Sequence, residues 1–541
     1  MIPFLFSLLW LSNPPEQIEA DLIITNAKIY TVDSTFSIAQ SMAIDDGRIM
    51  EVGTTAAIAE KYWSLNVTDM EGKVIYPGFI DGHCHFLQYG IEQSYTDLTG
   101  TTSFLDVTER IKKHEISKTG GWVIGRGWDQ NDWEIKEFPT KEALDKLFPT
   151  TPVYLVRVDG HAALVNSKAL ELTGVTTTTH VDGGVVEVKQ GQCTGILLDN
   201  ALELVTKKMP TKSKTFLANA AMLAQEHCVA VGLTSVQDAG LDLWELQNLK
   251  MMDENGKWQM RIYAMANAGQ KNYDYFSANG MIYTDHLRIR AFKYYADGAL
   301  GSRGAGLLQP YSDDPANYGI YYFSYDSLLA EAQKIYNLGF QMCTHAIGDS
   351  ANRMVLDIYG TVLQGKNDLR WRIEHCQVVN KNDFKKFSQF NILPAVQPTH
   401  ATSDMYWADE RLGESRIKTA YAYKQLLNQN GVLINGSDFP VEAINPLFGF
   451  YAAVARKDQQ FMPKDGFQKE NGLTRQEALK AMTIWAAYGA FEENEKSSLE
   501  AGKFADFVVL EKDIMTIPEK ELFGVKVLYT YIGGVLVYNS K

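Results

Sequence analysis

The stretch YPGFIDGHCHF, residues Tyr76 to Phe86, ends an apolar run with two histidines separated by one residue. Alternate side chains of an extended strand share a face, so His83 and His85 would point the same way and Cys84 the other way. Two neutral imidazoles side by side provide half of a metal site. One turn histidine beside one buried histidine would give the same pattern, so the rest of the chain has to decide.

The composition is that of a large globular protein. Its 541 residues are too many for one ordinary core and fit one large barrel with an accessory domain, or two to three domains. The formal charge of −14 opposes binding to a phosphate backbone and provides no basic stripe for a membrane surface. Because of this charge, nucleic acid is not expected as a partner.

The five cysteines match no Cys-x-x-Cys spacing, which argues against a disulfide framework and a thiolate zinc site.

The first 19 residues are interpreted as a signal or disordered N-terminus. Their apolar run, from Ile2 to Leu11, is too short to span a bilayer. It resembles the apolar region of a signal peptide, but no Lys or Arg precedes it and no cleavage site is clear. Cytoplasmic and exported locations both stay open, and no later segment predicts a membrane span.

Both ends of the remaining chain are rich in short β-type runs with glycine turns. We predict one composite β-sandwich domain from residues 20–72 and 495–541, since either end alone is too short for a stable core. Two unrelated β modules are the alternative.

Between these ends, short apolar runs alternate with helical patterns, which is typical of βα units around a parallel sheet. The candidate strands are VIYPGFIDGH, LTSVQDAG, RIYAMAN, LRIRAFKYYADG, FQMCTHAIGD, RWRIEHCQ, ILPAVQPT and VLINGSDFP. Eight such units predict an α/β fold, a (β/α)8 TIM barrel, formed by residues 73–100 and 231–494. Residues 101–230 are too long for one connecting helix and predict an inserted α/β subdomain that caps the barrel mouth; a decorative insertion is the alternative.

Further candidate metal ligands stand at the ends of later strands. His345 ends the fifth candidate strand, His375 the sixth and Asp438 the eighth. Each alone has a structural explanation, because strand-end histidines and aspartates often only hydrogen-bond to the backbone. The strands of a barrel converge at one mouth, so together these residues predict a metal site.

Lys293 places a charge in the middle of the fourth candidate strand. A lysine lying along an apolar wall with its amine in water is the ordinary explanation. A parallel barrel strand is covered on both faces, however, and a buried lysine tends to lose its proton. A neutral amine can combine with carbon dioxide to give a carbamate, which can bridge two metal ions.

The motifs GFIDGHCH, THAIGD, IEHCQ and NGSDFP, with a lysine on the fourth strand, resemble those of the amidohydrolase superfamily. The stretches GWDQNDW, DGHAALVNS and ADGALGSRGA are similar to the amidohydrolase family 3 branch, which includes N-substituted formamide deformylases. The resemblance implies two divalent ions, with zinc expected and iron, manganese or cobalt as alternatives. It implies that His83, His85 and Asp438 hold one ion, that His345 and His375 hold the other, and that carboxylated Lys293 bridges them.

This arrangement predicts hydrolysis of a carbon–nitrogen bond other than a peptide bond by a metal-activated hydroxide, with Asp438 as the proton carrier. A mononuclear deaminase of the same superfamily is the close alternative, although no glutamate follows His345 or His375 by three residues, as the His-x-x-Glu pattern of those enzymes requires. A barrel that binds metal and ligand without turnover is a third interpretation.

The expected substrate is a small amide-type molecule. Trp128, Asp129, His161, Arg303 and His400 are the candidate substrate-binding residues. Aromatic residues around the expected mouth favour an apolar substituent on nitrogen. Barrels of this kind often pair, so a homodimer is an open expectation.

Overall fold

The computed structural model describes residues 17–114, 121–157, 162–181, 184–209 and 212–541. The signal-like segment predicted at the N-terminus therefore lies almost wholly outside the described residues. The chain forms two compact units. The first contains the described residues of Met1–Cys84, Cys228–Leu243 and Gln259–Lys541, and the second contains those of His85–His227 and Trp244–Trp258.

The first unit contains the predicted barrel. Eight parallel strands stand in space in their chain order and form a nearly closed sheet. They are β1 Phe79–Cys84, β2 Leu233–Leu241, β3 Arg261–Asn267, β4 Leu287–Tyr295, β5 Gln341–Ala346, β6 Arg372–His375, β7 Leu393–Val396 and β8 Ile434–Asn435. Their residues are buried almost without a break, as parallel strands covered on both faces require.

Helices follow the later strands and cover the barrel. They are Gln270–Asn279, Tyr325–Leu338, Asp349–Leu363, Phe384–Phe390, Pro398–Asp404, Ala408–Arg416, Tyr423–Asn430, Pro446–Ala455, Arg475–Ala481 and Ile484–Gly489. The eight-unit barrel predicted from hydrophobic alternation is confirmed. The prediction of its first strand was too long, because VIYPGFIDGH contains two strands that belong to different sheets.

Gly78 marks the point where the chain passes from one sheet to the other. Val74–Pro77 pairs antiparallel with Phe507–Leu510, whereas β1 pairs parallel with β2. A Cβ atom on Gly78 would lie 2.2 Å from Thr234 Oγ1, so only glycine allows the chain to pass β2 this closely.

Two further sheets of the first unit combine strands from both chain ends. A six-stranded sheet has the order Val535–Asn539, Val527–Ile532, Phe507–Leu510, Val74–Pro77, Lys28–Tyr30 and Ile38–Ala39. A four-stranded sheet has the order Arg48–Gly53, Ser41–Asp45, Leu22–Thr25 and Val67–Asp69. One apolar cluster, which includes Ile24, Met42, Ile75 and Phe507, takes residues from both sheets. The boundaries of a composite sandwich domain stay a prediction.

The second unit has its own six-stranded mixed sheet, with the order Thr96–Asp97, Val123–Trp128, Val153–Arg157, Ala162–Val165, Gln192–Asp199 and Gly184–Lys189. Its helices include Phe86–Gln93, Phe104–Ile111, Glu142–Leu147, Ser167–Thr173, Glu203–Thr206, Lys214–Ala230 and Leu243–Glu254. In the parts of the chain that the structure describes, no helix is long and apolar enough to cross a membrane.

Candidate metal centre

Three histidines of the first unit, His83, His345 and His400, lie around His375, near the carboxyl ends of the barrel strands. The centroid of the His375 ring lies 4.8 Å from that of His83, 4.6 Å from that of His345 and 6.1 Å from that of His400. His83, His375 and Asp438 each offer a ligand atom, and these atoms lie within 4.8 Å of one another. The Lys293 amine lies 3.3 Å from His83 Nε2. The sequence analysis named His83, His345, His375, Asp438 and Lys293 as candidate metal ligands, and their binding of metal stays a prediction.

His83 is oriented by a buried carboxylate that the sequence analysis did not identify. Its Nδ1 hydrogen-bonds to Glu374, and both side chains are fully buried. The Nε2 atom, 3.5 Å from Asp438 Oδ1, therefore faces the centre. A carboxylate on the far nitrogen of a ligating histidine is a recurrent feature of metal sites, because it fixes the tautomer and the ring plane.

Arg372 keeps Glu374 ionised. Its Nε and Nη2 lie 2.8 and 2.9 Å from the two carboxylate oxygens. Burial alone would raise the pKa of Glu374, but the charge of Arg372 and the hydrogen bond from His83 lower it to about 2. Burial and the nearby Lys293 lower the pKa of His83 to about 4, so its imidazole is neutral and able to bind metal at pH 7.

His375 and Asp438 both have left-handed backbones, with φ of +76° and +63°. Non-glycine residues adopt this region at an energetic cost and often do so at functional sites. Gln397 Oε1 accepts a hydrogen bond from His375 Nδ1 at 2.8 Å, which leaves the Nε2 of His375 for the centre. Asp438 stands three residues beyond β8, and its amide donates to His83 O at 2.7 Å.

Asp81 ties the segments that carry His83 and Asp438 to each other. Its buried carboxylate accepts hydrogen bonds from the backbone of His83 at 3.1 Å and from the hydroxyl of Ser437 at 2.6 Å. Burial raises the pKa of Asp81 to about 7. The motif GFIDGH contains this aspartate, but its role depends on Ser437, 356 positions later in the chain.

Asp297 joins two segments near His345, as Asp81 does near His83. The fully buried carboxylate accepts amide hydrogen bonds from Gly306, Ile347 and Gly348 at 2.8, 3.0 and 2.8 Å. Its Oδ1 lies 3.5 Å from His345 Nε2. It therefore joins the loop after β4 to the end of β5, where His345 stands.

The donor set fits divalent metal ions. Among the described residues, His345 Nε2 has no hydrogen-bond partner although it is buried. A buried polar nitrogen without a partner is costly, and a metal ion would offset this cost. Imidazole nitrogens with a carboxylate suit zinc, iron, manganese and cobalt alike.

The other predicted site residues lie in varied surroundings. His85 belongs to the second unit, immediately before the helix Phe86–Gln93, and its pairing with His83 stays a prediction. Also in that unit, Trp128 is packed in the core with its indole donating to Leu155 O at 2.9 Å, and Asp129 forms an ion pair with Arg157 at 2.5 Å. His161 lies outside the described residues.

Within the first unit, Arg303 forms two hydrogen bonds to Asp313, at 3.2 and 2.8 Å. His400 is the predicted substrate-binding residue that the structure brings to the histidine cluster. Tyr295 also lies there: its ring centroid is 5.6 Å from that of His345, and its side chain is 38% exposed.

An eight-stranded parallel barrel with imidazole and carboxylate groups at its strand ends is the arrangement expected of a metal-dependent hydrolase. The sequence profile of the amidohydrolase family matches residues 66–538. The chain belongs to that family, as the sequence motifs predicted.

The chain is also similar in sequence or structure to several known proteins. Protein LONG AFTER FAR-RED 3 of Arabidopsis thaliana is 34% identical over 99% of this chain and 95% of its own length. N-substituted formamide deformylase of Arthrobacter pascens is 27% identical over 96% of this chain and 98% of its own length. The crystal structure of an uncharacterized metal-dependent hydrolase from Pyrococcus horikoshii covers 92% of this chain and 99% of its own, with a TM-score of 0.80 and 27% identity.

Proposed function

We propose that this protein hydrolyses a carbon–nitrogen bond other than a peptide bond in a small amide or N-substituted formamide. The observation that carries the proposal is the position of Asp438. Its carboxylate oxygens lie 3.5 Å from His83 Nε2 and 3.9 Å from His400 Nε2, inside the group of metal-binding atoms. The similarity to the Arthrobacter deformylase supports the choice of bond.

The proposed ligands are His83, His85 and Asp438 for one ion, His345 and His375 for a second, and carboxylated Lys293 between them. His83 and His375 would belong to different ions, yet they lie in one compact group with Asp438. A centre that holds two ions would draw the ligands of both ions from such a compact group.

Lys293 is suited to carboxylation. It is 1% exposed, and burial lowers the pKa of its amine. The neutral amine nitrogen attacks carbon dioxide, an N–C bond forms, one proton leaves, and a carbamate anion results. The carbamate would place a buried negative charge beside His83, whose Nε2 lies 3.3 Å from the amine, and divalent ions bound there would balance that charge.

Divalent ions bound here would polarise a substrate carbonyl and lower the pKa of a water molecule to about 7. Asp438 takes the proton from the attacking water and delivers it to the departing nitrogen. Amide nitrogen leaves poorly without a proton, so this transfer is the essential task of the side chain. Asp81, which accepts hydrogen bonds from the backbone of His83 and from Ser437, keeps the Asp438 carboxylate close to the metal-binding atoms during this transfer.

The test is a combined metal and activity measurement on protein expressed with bicarbonate and divalent metals. We expect about two ions per chain by elemental analysis and release of formate and amine from N-substituted formamides. Release of ammonia from aminated heterocycles, without formate from formamides, would favour a deaminase. Metal binding without turnover of any amide would favour the non-catalytic barrel.

A further inference from the structure

His400 presents a buried and unused nitrogen to the candidate centre. It stands in the helix Pro398–Asp404, which begins just after β7, and is 7% exposed. Its ring lies nearly parallel to that of His375, at an interplanar angle of 19°. Its Nε2 lies 3.9 Å from Asp438 Oδ2 and has no hydrogen-bond partner within the described part of the chain.

Gln377 determines which nitrogen of His400 carries the hydrogen. The side-chain Nε2 of Gln377 lies 3.2 Å from His400 Nδ1. An amide nitrogen only donates, so Nδ1 accepts and the ring hydrogen stands on Nε2. Gln377 is 5% exposed, and its backbone is held in place because its carbonyl accepts a hydrogen bond from the Tyr421 amide at 2.6 Å.

This tautomer separates His400 from the metal-binding histidines. A ligand must offer a lone pair, whereas Nε2 of His400 offers a hydrogen. Both His83 and His375 have the opposite arrangement, since their Nδ1 atoms face the acceptors Glu374 and Gln397 and their Nε2 atoms carry lone pairs. The cluster therefore contains one imidazole suited to donating a hydrogen bond beside two suited to metal.

We propose that His400 Nε2–H donates a hydrogen bond to the scissile carbonyl oxygen as that oxygen gains negative charge, and that Gln377 is the positioning residue that fixes the donor tautomer. The inference rests on the proposed hydrolysis and deepens it. When the water oxygen adds to the carbonyl carbon, the C=O π pair moves onto oxygen, and a fixed donor stabilises that charge. Loss of one such donor typically lowers kcat by about 10²–10³-fold.

The donor also limits the class of substrate. A carbonyl oxygen accepts the hydrogen bond, whereas a protonated amidine would place its own N–H against Nε2–H. The site should therefore favour uncharged amides and formamides over amidines of the same shape.

Substitutions at both residues test the idea. His400→Gln can place an amide nitrogen near the position of Nε2, whereas His400→Asn is too short to do so. We expect His400→Asn to lower kcat for N-benzylformamide by about 10²-fold, with a smaller change in KM and unchanged metal content, and His400→Gln to recover part of the loss. Gln377→Glu replaces the donor with an acceptor and should lower kcat similarly, while Gln425→Glu, at an exposed position, serves as the charge-matched control.

A second readout does not depend on turnover. In zinc-loaded protein labelled with ¹⁵N-histidine, the signals absent from His400→Asn identify His400. We expect a protonated Nε2 and a bare Nδ1 in the native protein, and the reverse in Gln377→Glu. We also expect calorimetry to show about tenfold weaker binding of methylphosphonate, a tetrahedral oxyanion, to His400→Asn.

A hydrogen on Nδ1 in the native protein would overturn the proposal, as would equal methylphosphonate affinity in both proteins. Failure of every amide to turn over would instead contradict the proposed hydrolysis, while the tautomer and the phosphonate affinity would still decide the role of His400.

Discussion

Glu374 and His83 form a hydrogen-bonded pair in which both side chains are completely buried, although 291 positions separate them in the chain. Arg372, on the same strand as Glu374, completes the arrangement, and its Nη2 also donates to Gly82 O at 2.8 Å. The end of β1 and the strand β6 are thus joined by charge as well as by packing. The orientation of His83, a proposed metal ligand, therefore depends on Glu374 and Arg372.

Glu374→Gln should weaken both folding and metal binding. The amide can still accept from His83, but it leaves the Arg372 charge without a counterion in a fully buried position. Breaking a buried ion pair in this way costs about 3–5 kcal/mol, and losing such an orienting carboxylate costs about 10–100-fold in metal affinity. Denaturant unfolding and chelator competition measure the two effects. Glu414→Gln, at an exposed position, should change neither.

The sequence predicted candidate ligands but not the residues that orient them. His345 and His375 could be found because hydrophobic runs mark strand ends and barrel geometry brings those ends together. Glu374, Asp81 and Asp297 act through partners remote in sequence, which no local pattern records. The sequence did contain one indication of this pair. Arg372 and Glu374 lie on the same face of a strand expected to be buried, and opposite charges that are buried must pair with each other.

Lys293→Ala should lower the metal content from about two ions per chain to about one or fewer, because the proposed carbamate bridge would be lost. Lys293→Met, which keeps the length of the side chain without the amine, should give the same result and so excludes a packing effect. Elemental analysis measures the ions, and Lys334→Met, on an exposed helical position, is the control. Two ions in both Lys293 variants would show that the lysine is an ordinary wall residue.

Asp438→Asn should strongly lower turnover while part of the metal stays bound. The asparagine side chain keeps an oxygen for an ion but cannot carry the proton from water to nitrogen, so we expect kcat to fall by about 10²–10⁴-fold. Steady-state kinetics with N-benzylformamide and elemental analysis of the same samples test this together. Asp409→Asn, at an exposed position, is the matched control. Full activity of Asp438→Asn would remove the carboxylate from the proposed mechanism.

Asp33 should make the stability of the protein sensitive to acid. Burial would raise its pKa, but hydrogen bonds from the backbone and hydroxyls of Ser37 and Thr35 outweigh this effect and lower the pKa to about 2. A depressed pKa stabilises the fold above the unfolded pKa of about 3.9, and this contribution is lost as pH falls towards about 2. The stability difference between native protein and Asp33→Asn should therefore shrink between pH values of about 4 and about 2. Urea unfolding across this range measures it, and a constant difference would contradict the assignment.

Gly436 follows β8 and lies against the backbone of His83 at the end of β1, so its substitution tests the link between fold and site. A Cβ atom there would lie 2.4 Å from the backbone nitrogen of His83, which cannot move aside as a flexible side chain would. Gly436→Ala must therefore separate β1 from β8 and shift His83 relative to Asp438. Overpacking of this kind costs about 1–3 kcal/mol, and the displaced ligands should bind metal more weakly. Gly524→Ala, where a Cβ would meet nothing within 4 Å, is the control. If Gly436→Ala lowered stability but left metal affinity unchanged, the positions of His83 and Asp438 would not depend on the spacing of β1 and β8, which would contradict the prediction.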